Sequence, residues 1–576
     1  MGGRCGTPRP GGAHPVSRPD PSPPPPPDGH DWWRHAVIYQ IYPRSFADGD
    51  GDGTGDLAGV RARLPHLARL GVDALWFTPW YPSPMADGGY DVADHRGVDP
   101  LFGTLDEAER LIAEARAQGI RTLVDLVPNH LSRAHPWFRA ALAAPPGSPE
   151  RARFHFRPGR GPGGAEPPNN WRSEFGGPAW TRTTDPDGTP GEWYLHLFTP
   201  DQPDVNWGHP QVVSEYEDVL RFWFDRGVAG VRVDTAIASA KDPSLPDLAE
   251  DGLTAADGGP HPYIDRDELH GIYRSWRRIA DSYPEPRVLV GEIWLPGAPE
   301  RFARYLRADE LHTAFNFDFL SSPWDAAELR ARIDGTLAAH ADVGAPATWV
   351  LCNHDVTRTV TRYGRADSSF DLAAKTTGTP TDLALGTRRA RAAALLTLAL
   401  PGSVYLYQGE ELGLPEAEDI PPDRLRDPVH FRSGGTDPGR DGCRVPLPWS
   451  GTAPPFGFTR TDAEPWLPQP EEWAALTAEA QDGAPGSMLE LYRTALRLRR
   501  SGTVPHGAPL HWLPGYDGDE GDVLAFRRGD LLCLVNFGPR PLALPAGHTL
   551  LLASAPADGG ELPPDAAAWL RAPGRG

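Results

Sequence analysis

The chain has 576 residues, 39% of them hydrophobic and 23% charged, with 19 Trp, 15 Tyr and 20 Phe. That is too rich a stock of core and aromatic residues for a disordered protein, and the length allows about two to four domains or one large barrel with appendages. A formal charge of −21 argues against a nucleic-acid or anionic-membrane partner, because such binders present basic stripes that displace counterions.

The first residues contain PSPPPPPD and no apolar run of signal-peptide length, so 1–31 reads as a flexible proline-rich tail. Nowhere does the chain offer the roughly 20 consecutive apolar residues of a membrane span; the expectation is a cytoplasmic protein. Cys5, Cys352, Cys443 and Cys533 are scattered without a CxxC, which suggests idle thiols and neither a zinc site nor a disulfide framework.

From Trp32 onward, short apolar runs alternate with helical patterns. The runs are VIYQIYPRSF at 37, VDALWFTP at 72, RTLVDLVPNH at 121, VAGVRVDTA at 228, RVLVGEIW at 287, TAFNFDF at 313, ATWVLCNHD at 347 and SVYLYQGEELG at 403. Between the second and third lies Thr104 to Gly119, a helical pattern that opens like a capping box with Glu107 and stops at Gly. Eight strands with intervening helices predict an α/β fold, a (β/α)8 TIM barrel with its chemistry at the carboxyl ends of the strands. Residues 131–205, rich in Gly, Pro, Asn and Trp, break the rhythm and predict an inserted subdomain after strand 3. Beyond the helical stretch Met488 to Arg500, the alternation in VLAFRRGDLLCLVNF predicts a C-terminal antiparallel β-domain over 505–576. The barrel then comprises 32–130 and 206–504.

Polar residues stand where the apolar runs end: Asp125, Asn129 and His130, then Arg232 and Asp234, Glu292, and His354 with Asp355. One such acid alone reads more readily as a helix cap. Three converging acids suit glycoside hydrolysis, in which one carboxylate attacks the anomeric carbon and a protonated carboxyl serves the leaving oxygen. Arg232, two residues from Asp234 on one strand face, would keep that carboxylate ionised; Glu292 would need burial or neighbouring carboxylates to hold a proton, and Trp294 offers apolar cover.

The segments DLVPNH (125–130), GVRVD (230–234), GEIW (291–294) and NHD (353–355) resemble the four signature segments of the α-amylase superfamily, glycoside hydrolase family 13. QPDVNW (202–207) resembles the segment marking its oligo-1,6-glucosidase and α-glucosidase branch, and the loops from about 236 to 268 look like those of actinobacterial α-glucosidases. The resemblance implies Asp234 as nucleophile, Glu292 as general acid and base, and Asp355 as stabiliser of the distorted sugar. It further implies a glucose site with Tyr90, Asp91, His130, Arg232 and His354, with Arg444 in GCRVPLPW closing the pocket, although PLPW departs from the branch pattern. Thr235, after the nucleophile, resembles a linkage selector and leans to α-1,4 bonds.

The loop DGDGDGTGD (48–56) is dense enough in carboxylates to need a cation or open solvent, yet Gly59 at its twelfth position argues against an EF-hand. A similar loop of the branch binds Ca²⁺, which implies a structural Ca²⁺, or Mg²⁺, on Asp48, Asp50, Asp52, Asp56 and the carbonyl of Thr54. No cofactor is implied for catalysis. The activity implied is a retaining, exo-acting α-glucosidase on small maltose-type substrates, with transglucosylation as a companion reaction. Rival readings are an oligo-1,6-glucosidase, a trehalose- or isomaltulose-synthase-type transferase on the same barrel, and a non-catalytic binding barrel, which the complete acid set disfavours.

Overall fold

The computed structural model describes Gly29 and residues 31–572, apart from positions 186, 373, 374, 376 and 517–521. The proline-rich tail, with Cys5, lies almost wholly outside the described residues.

The eight apolar runs all become parallel strands of one sheet: β1 (Val37–Ile41), β2 (Ala74–Phe77), β3 (Arg121–Leu126), β7 (Gly230–Val233), β8 (Val288–Gly291), β9 (Thr313–Ala314), β10 (Thr348–Val350) and β11 (Ser403–Tyr407). Their order, β10-β11-β1-β2-β3-β7-β8-β9, is that of a barrel cut open between β9 and β10. At that seam the hydroxyls of Thr313 and Thr348 hydrogen-bond, and Thr348 also meets Ser403 at 3.2 Å. Side chains thus stand in where the backbone ladder stops.

Both faces of every strand are covered, which is why the strands read as unbroken apolar runs. One parity (Tyr39, Leu75, Val124, Val231, Leu289, Trp349 and Leu406) joins the layer between sheet and helices. The other (Ile38, Trp76, Leu123, Val290, Val350 and Tyr405) fills the barrel. Continued toward the carboxyl ends, this inner parity reaches Gln40, Asp125, Arg232, Asp234 and Glu292. Strand period and register together carry these residues into the mouth, with Asp125 directly opposite Arg232 across β3 and β7.

The helix Leu105–Ala117 has the capping box at Thr104 and Glu107, and Leu57–Leu70 is capped by Asp56, whose side chain accepts from Gly59 N. Between β3 and β7 stands a small antiparallel sheet of β4 (Phe156–Arg157), β5 (Trp180–Thr184) and β6 (Pro190–Leu195). A long segment after β7, from 236 to 267, contains no helix or strand. It packs Leu245 and Tyr263 onto Trp171 and Trp180 of the inserted region, and Asp247 pairs with Arg160 at 2.7 Å, so the two form one wall beside the mouth.

C-terminal to the helix Met488–Arg500, β12 (His511–Trp512), β13 (Val523–Arg528), β14 (Leu531–Asn536), β16 (Thr549–Ala553) and β18 (Ala566–Arg571) form an antiparallel sheet, with β15 (Leu542–Ala543) and β17 (Glu561–Leu562) as a separate pair. This domain docks on the helix Leu383–Ala399. Trp569 donates its indole N–H to Leu395 O at 3.0 Å, while Arg499 and Arg528 donate to the terminal carbonyls of Leu398 and Ala399 at 2.6 and 2.7 Å. Those carbonyls lack helical partners, and a cation there also opposes the helix dipole.

Trp569 is fully buried at this junction. Trp569→Ala is expected to cost about 3–5 kcal/mol, read as a lower urea midpoint and as early proteolysis within 505–572; an unchanged midpoint would show that the C-terminal sheet does not brace the barrel.

Candidate active site

Arg232 lies at the centre of the mouth, 1% exposed. Its Nη1 donates to Asp125 Oδ1 at 2.8 Å and Asp234 Oδ1 at 2.7 Å, and its Nη2 pairs with Glu292 Oε2 at 2.6 Å. One guanidinium therefore holds two of the three acids side by side. The next residue, Thr235, holds them from the other side: its backbone N donates to Glu292 Oε2 at 2.9 Å and its hydroxyl to Asp234 Oδ2 at 3.3 Å. Thr235 achieves this at φ +39°, a conformation that β-branched residues rarely adopt and that surrounding structure must impose.

Asp355, the most exposed of the three acids, is held by different cations. Its Oδ1 accepts from Arg444 Nη2 at 2.8 Å and Arg440 Nη1 at 3.2 Å, and its Oδ2 lies 3.4 Å from His354 Nε2. His354 takes Gln40 Nε2 at its Nδ1, 2.7 Å away, and faces the Tyr90 hydroxyl with Nε2 at 2.7 Å. The Tyr90 hydroxyl donates in turn to Asp125 Oδ2 at 2.9 Å. A chain of hydrogen bonds thus runs from Gln40 through His354 and Tyr90 to the acid beneath Arg232. Burial holds His354 well below the usual imidazole range, which matches an Nδ1 that accepts.

Charge explains how the acids differ. Asp125, Asp234 and Glu292 share a single guanidinium, so full ionisation would leave two uncompensated negative charges in a buried site. Burial, with Glu292 and Asp125 as neighbours, pushes Asp234 well above the ordinary carboxylate range against the pull of Arg232. Asp125 is pushed up to about 7, by burial first and by Glu292. Asp355 goes the other way: burial raises it, but His354, Arg440 and Arg444 together hold it well below that range.

Of the sequence-predicted sugar ligands, Tyr90, Arg232, His354 and Arg444 meet the acids. His130 does not touch them: its Nε2 reaches Tyr90 O at 3.1 Å and its Nδ1 takes Asn129 Nδ2 at 3.1 Å, so it steadies the Tyr90 backbone. Asp91 is fully buried, accepting from Ser83 Oγ at 2.8 Å and Asp87 N at 3.1 Å, so its carboxylate is engaged within its own loop.

Asp87, four residues earlier, is the carboxylate of this loop that joins the cluster. Its Oδ1 accepts from Arg440 Nη2 at 2.6 Å, and Arg440 spans onward to Asp355 while Asp427 grips it through Nε at 2.7 Å. Gly88, at φ +58°, lets this loop come down where a Cβ would lie 2.8 Å from the Tyr42 hydroxyl. Sequence reasoning missed Asp87 and Arg440; an account of which cations Asp355 requires would have drawn attention to Arg440, the first arginine of GRDGCR, beside Arg444. It missed Lys241 as well. That fully buried ammonium donates to Ala238 O at 2.7 Å and to Asn129 Oδ1, and pairs with Asp204 of QPDVNW at 2.7 Å, so it ties three segments of the mouth together.

In the acidic loop, ligand atoms of Asp48, Asp50 and Asp56 lie within 4.8 Å of one another; Asp52 is outside this group and accepts from Thr54 N at 2.7 Å. Burial first, and then neighbouring aspartates, push Asp50 and Asp56 upward. Three oxygen donors under mutual repulsion fit a hard divalent cation. The cysteines Cys352, Cys443 and Cys533 are buried and unbridged.

Paired acids of this kind at the carboxyl end of a parallel barrel are those of glycoside hydrolases. Residues 40–507 match the α-amylase catalytic domain and residues 516–569 a domain of unknown function, DUF3459; the chain belongs to the α-amylase family. A probable α-glucosidase of Rhizobium meliloti (strain 1021) is 37% identical over 527 residues, 88% of this chain and 89% of that protein. The trehalose-6-phosphate hydrolase of Escherichia coli (strain K12) is 36% identical over 82% of this chain and 84% of its own. Among solved structures, the α-glucosyl transfer enzyme XgtA superposes with a TM-score of 0.79 at 35% identity, covering 94% of this chain and 99% of that one.

Arg440→Met would leave Asp87, Asp355 and Asp427 short of a buried cation, at a cost of about 3–5 kcal/mol at neutral pH. Asp355 and Asp427 are held below their unfolded pKa, so their contribution is present above about pH 4 and lost as pH falls toward the folded value. The stability gap between wild type and variant, followed by urea unfolding, should therefore be widest near pH 7 and narrow below pH 4; a gap independent of pH would contradict this electrostatic account.

Proposed function

We propose that this glycoside hydrolase is a retaining, exo-acting α-glucosidase that removes terminal α-1,4-linked glucose from maltose-type oligosaccharides and also transfers glucose to acceptors. The observation that carries the reading is the shared guanidinium. Asp234 and Glu292 occupy Nη1 and Nη2 of Arg232, which suits the close pair of a retaining enzyme, whose second carboxylate must reach the anomeric carbon without an intervening water.

The roles follow from the free oxygens. Glu292 commits Oε2 to Arg232 and Thr235 N, which leaves Oε1 as the oxygen to carry a proton to the leaving group. Asp234, aimed by Arg232 and Thr235, attacks the anomeric carbon as the bond to the aglycone breaks. Glu292, now ionised, takes a proton from the incoming water, which displaces Asp234 and releases glucose with its configuration kept. Asp355, held ionised by Arg440 and Arg444, stabilises positive charge on the ring. The span of Arg440 from Asp355 to Asp87 supports a pocket closed behind one glucose unit, hence exo action. Thr235 supports α-1,4 over α-1,6 cleavage, because its hydroxyl offers an acceptor sugar a hydrogen bond that Val lacks. The likeness to a glucosyl transfer enzyme supports transfer as a companion reaction.

Asp234→Asn is expected to lower kcat on maltose by at least about a thousandfold, and NMR of the first product should show α-glucose. Initial release of β-glucose, or full activity in the variant, would overturn the mechanism. Trehalose as the main product would favour the transferase reading.

We also propose that Asp48, Asp50 and Asp56, with Asp52 and the Thr54 carbonyl alongside, hold a structural Ca²⁺. The ion would neutralise the loop that caps the helix Leu57–Leu70. Calcium at a hundred times its Kd should stabilise the fold by about 2.7 kcal/mol, seen as a rise in Tm over a chelated sample; an unchanged Tm together with no bound metal would exclude the site.

A further inference from the structure

The inserted subdomain meets the loop after β11 where Arg440 reaches Asp355, and a closed ring of contacts joins the two. On one side is the turn from Ser173 to Gly177. Ser173 N donates to Gly177 O and Gly176 N to Ser173 O, both at 3.0 Å, and the Ser173 hydroxyl donates to Phe198 O at 2.7 Å, so the turn is tied up as one piece. On the other side Asp427 caps the one-turn helix Pro428–Arg432, accepting from Val429 N at 3.0 Å, and also grips Arg440. The ring closes at two points. The guanidinium carbon of Arg440 lies 5.0 Å from the centre of the Phe175 ring, and Arg432 Nη2 donates to Gly176 O at 2.7 Å. Arg432 gives its charge to a backbone carbonyl, and its Nε is buried with no hydrogen-bond partner among the described residues. Desolvating a cation in this way is costly; what it secures is a charge-assisted tie between loops 256 residues apart.

We infer, on the glucosidase reading proposed above, that Arg432 is a positioning residue of the glucose pocket: by clasping Gly176 it keeps Phe175 against Arg440, and Arg440 in reach of Asp355 and Asp87. Asp234 and Glu292 are aimed by Arg232 and Thr235, which stand outside this ring. Releasing the clasp therefore loosens the wall around the bound sugar unit and leaves in place the two acids that break the bond. Ligands that fill the pocket then bind less tightly, in the ground state and the transition state alike.

The test measures kcat and KM on maltose, and the Kd of glucose by calorimetry, for wild type, Arg432→Met, Arg432→Lys and Phe175→Leu with and without Arg432→Met. Loss of one charge-assisted hydrogen bond in Arg432→Met should raise KM and the glucose Kd together, roughly tenfold, with kcat changed by less than about twofold. Arg432→Lys should recover most of this, because a single donor to a single carbonyl is a bond that Lys also makes. In the Phe175→Leu background Arg432→Met should add less than about twofold, since both changes act through one ring. A fall in kcat with KM and Kd unmoved, no recovery in Arg432→Lys, or an effect of Arg432→Met undiminished in the Phe175→Leu background overturns the inference. A wild-type enzyme that binds glucose and leaves maltose intact would instead sink the glucosidase reading, and the glucose Kd of the variants would still decide the role of Arg432.

Discussion

A single buried guanidinium organises this protein's chemistry. Arg232 is almost inaccessible to water and carries one positive charge against Asp125, Asp234 and Glu292. Removing a cation from water is costly unless every donor finds an acceptor, and crowding three carboxylates is costly unless a cation lies among them. Arg232 meets its requirement through Nη1 and Nη2, and the carboxylates find the cation in return. With acid in excess over base, burial raises Asp234 and Asp125 above the ordinary carboxylate range.

The rest of the mouth guards that balance. Tyr90 and His354 supply neutral hydrogen bonds to one flank, and Arg440 and Arg444 reach Asp355, whose carboxyl lies well below the ordinary range despite its burial. Two cation centres a short distance apart thus give chemically identical side chains opposite behaviour. Lys241 does comparable work outside the reaction, for its three donors hold together the ends of two strands and the inserted subdomain.

Much of this was legible beforehand. Parallel strands covered on both faces appear as apolar runs, and all eight runs proved to be strands of the barrel because nothing else satisfies such segments. The acids at the strand ends, with Arg232 among them, were legible for the related reason that polar residues ending such runs have only the mouth to enter. Arg440 and Asp87 were not, since they stand 353 residues apart and neither neighbourhood carries a sign of the other. The upward shifts at Asp234 and Asp125 were not legible either, because burial and the sharing of one cation are properties of the assembled cluster.

The sequence by itself determined which residues form strands, which parity points inward and therefore which acids can gather, because period and burial are local properties of a strand. Only the tertiary structure decided how those acids are divided between cations, which oxygen of Glu292 is left free, and that Thr235 takes a left-handed backbone beneath both carboxyl groups. Those outcomes depend on contacts between loops distant in the chain, where desolvation and Coulomb energy act over a few ångströms of space, however many residues lie between.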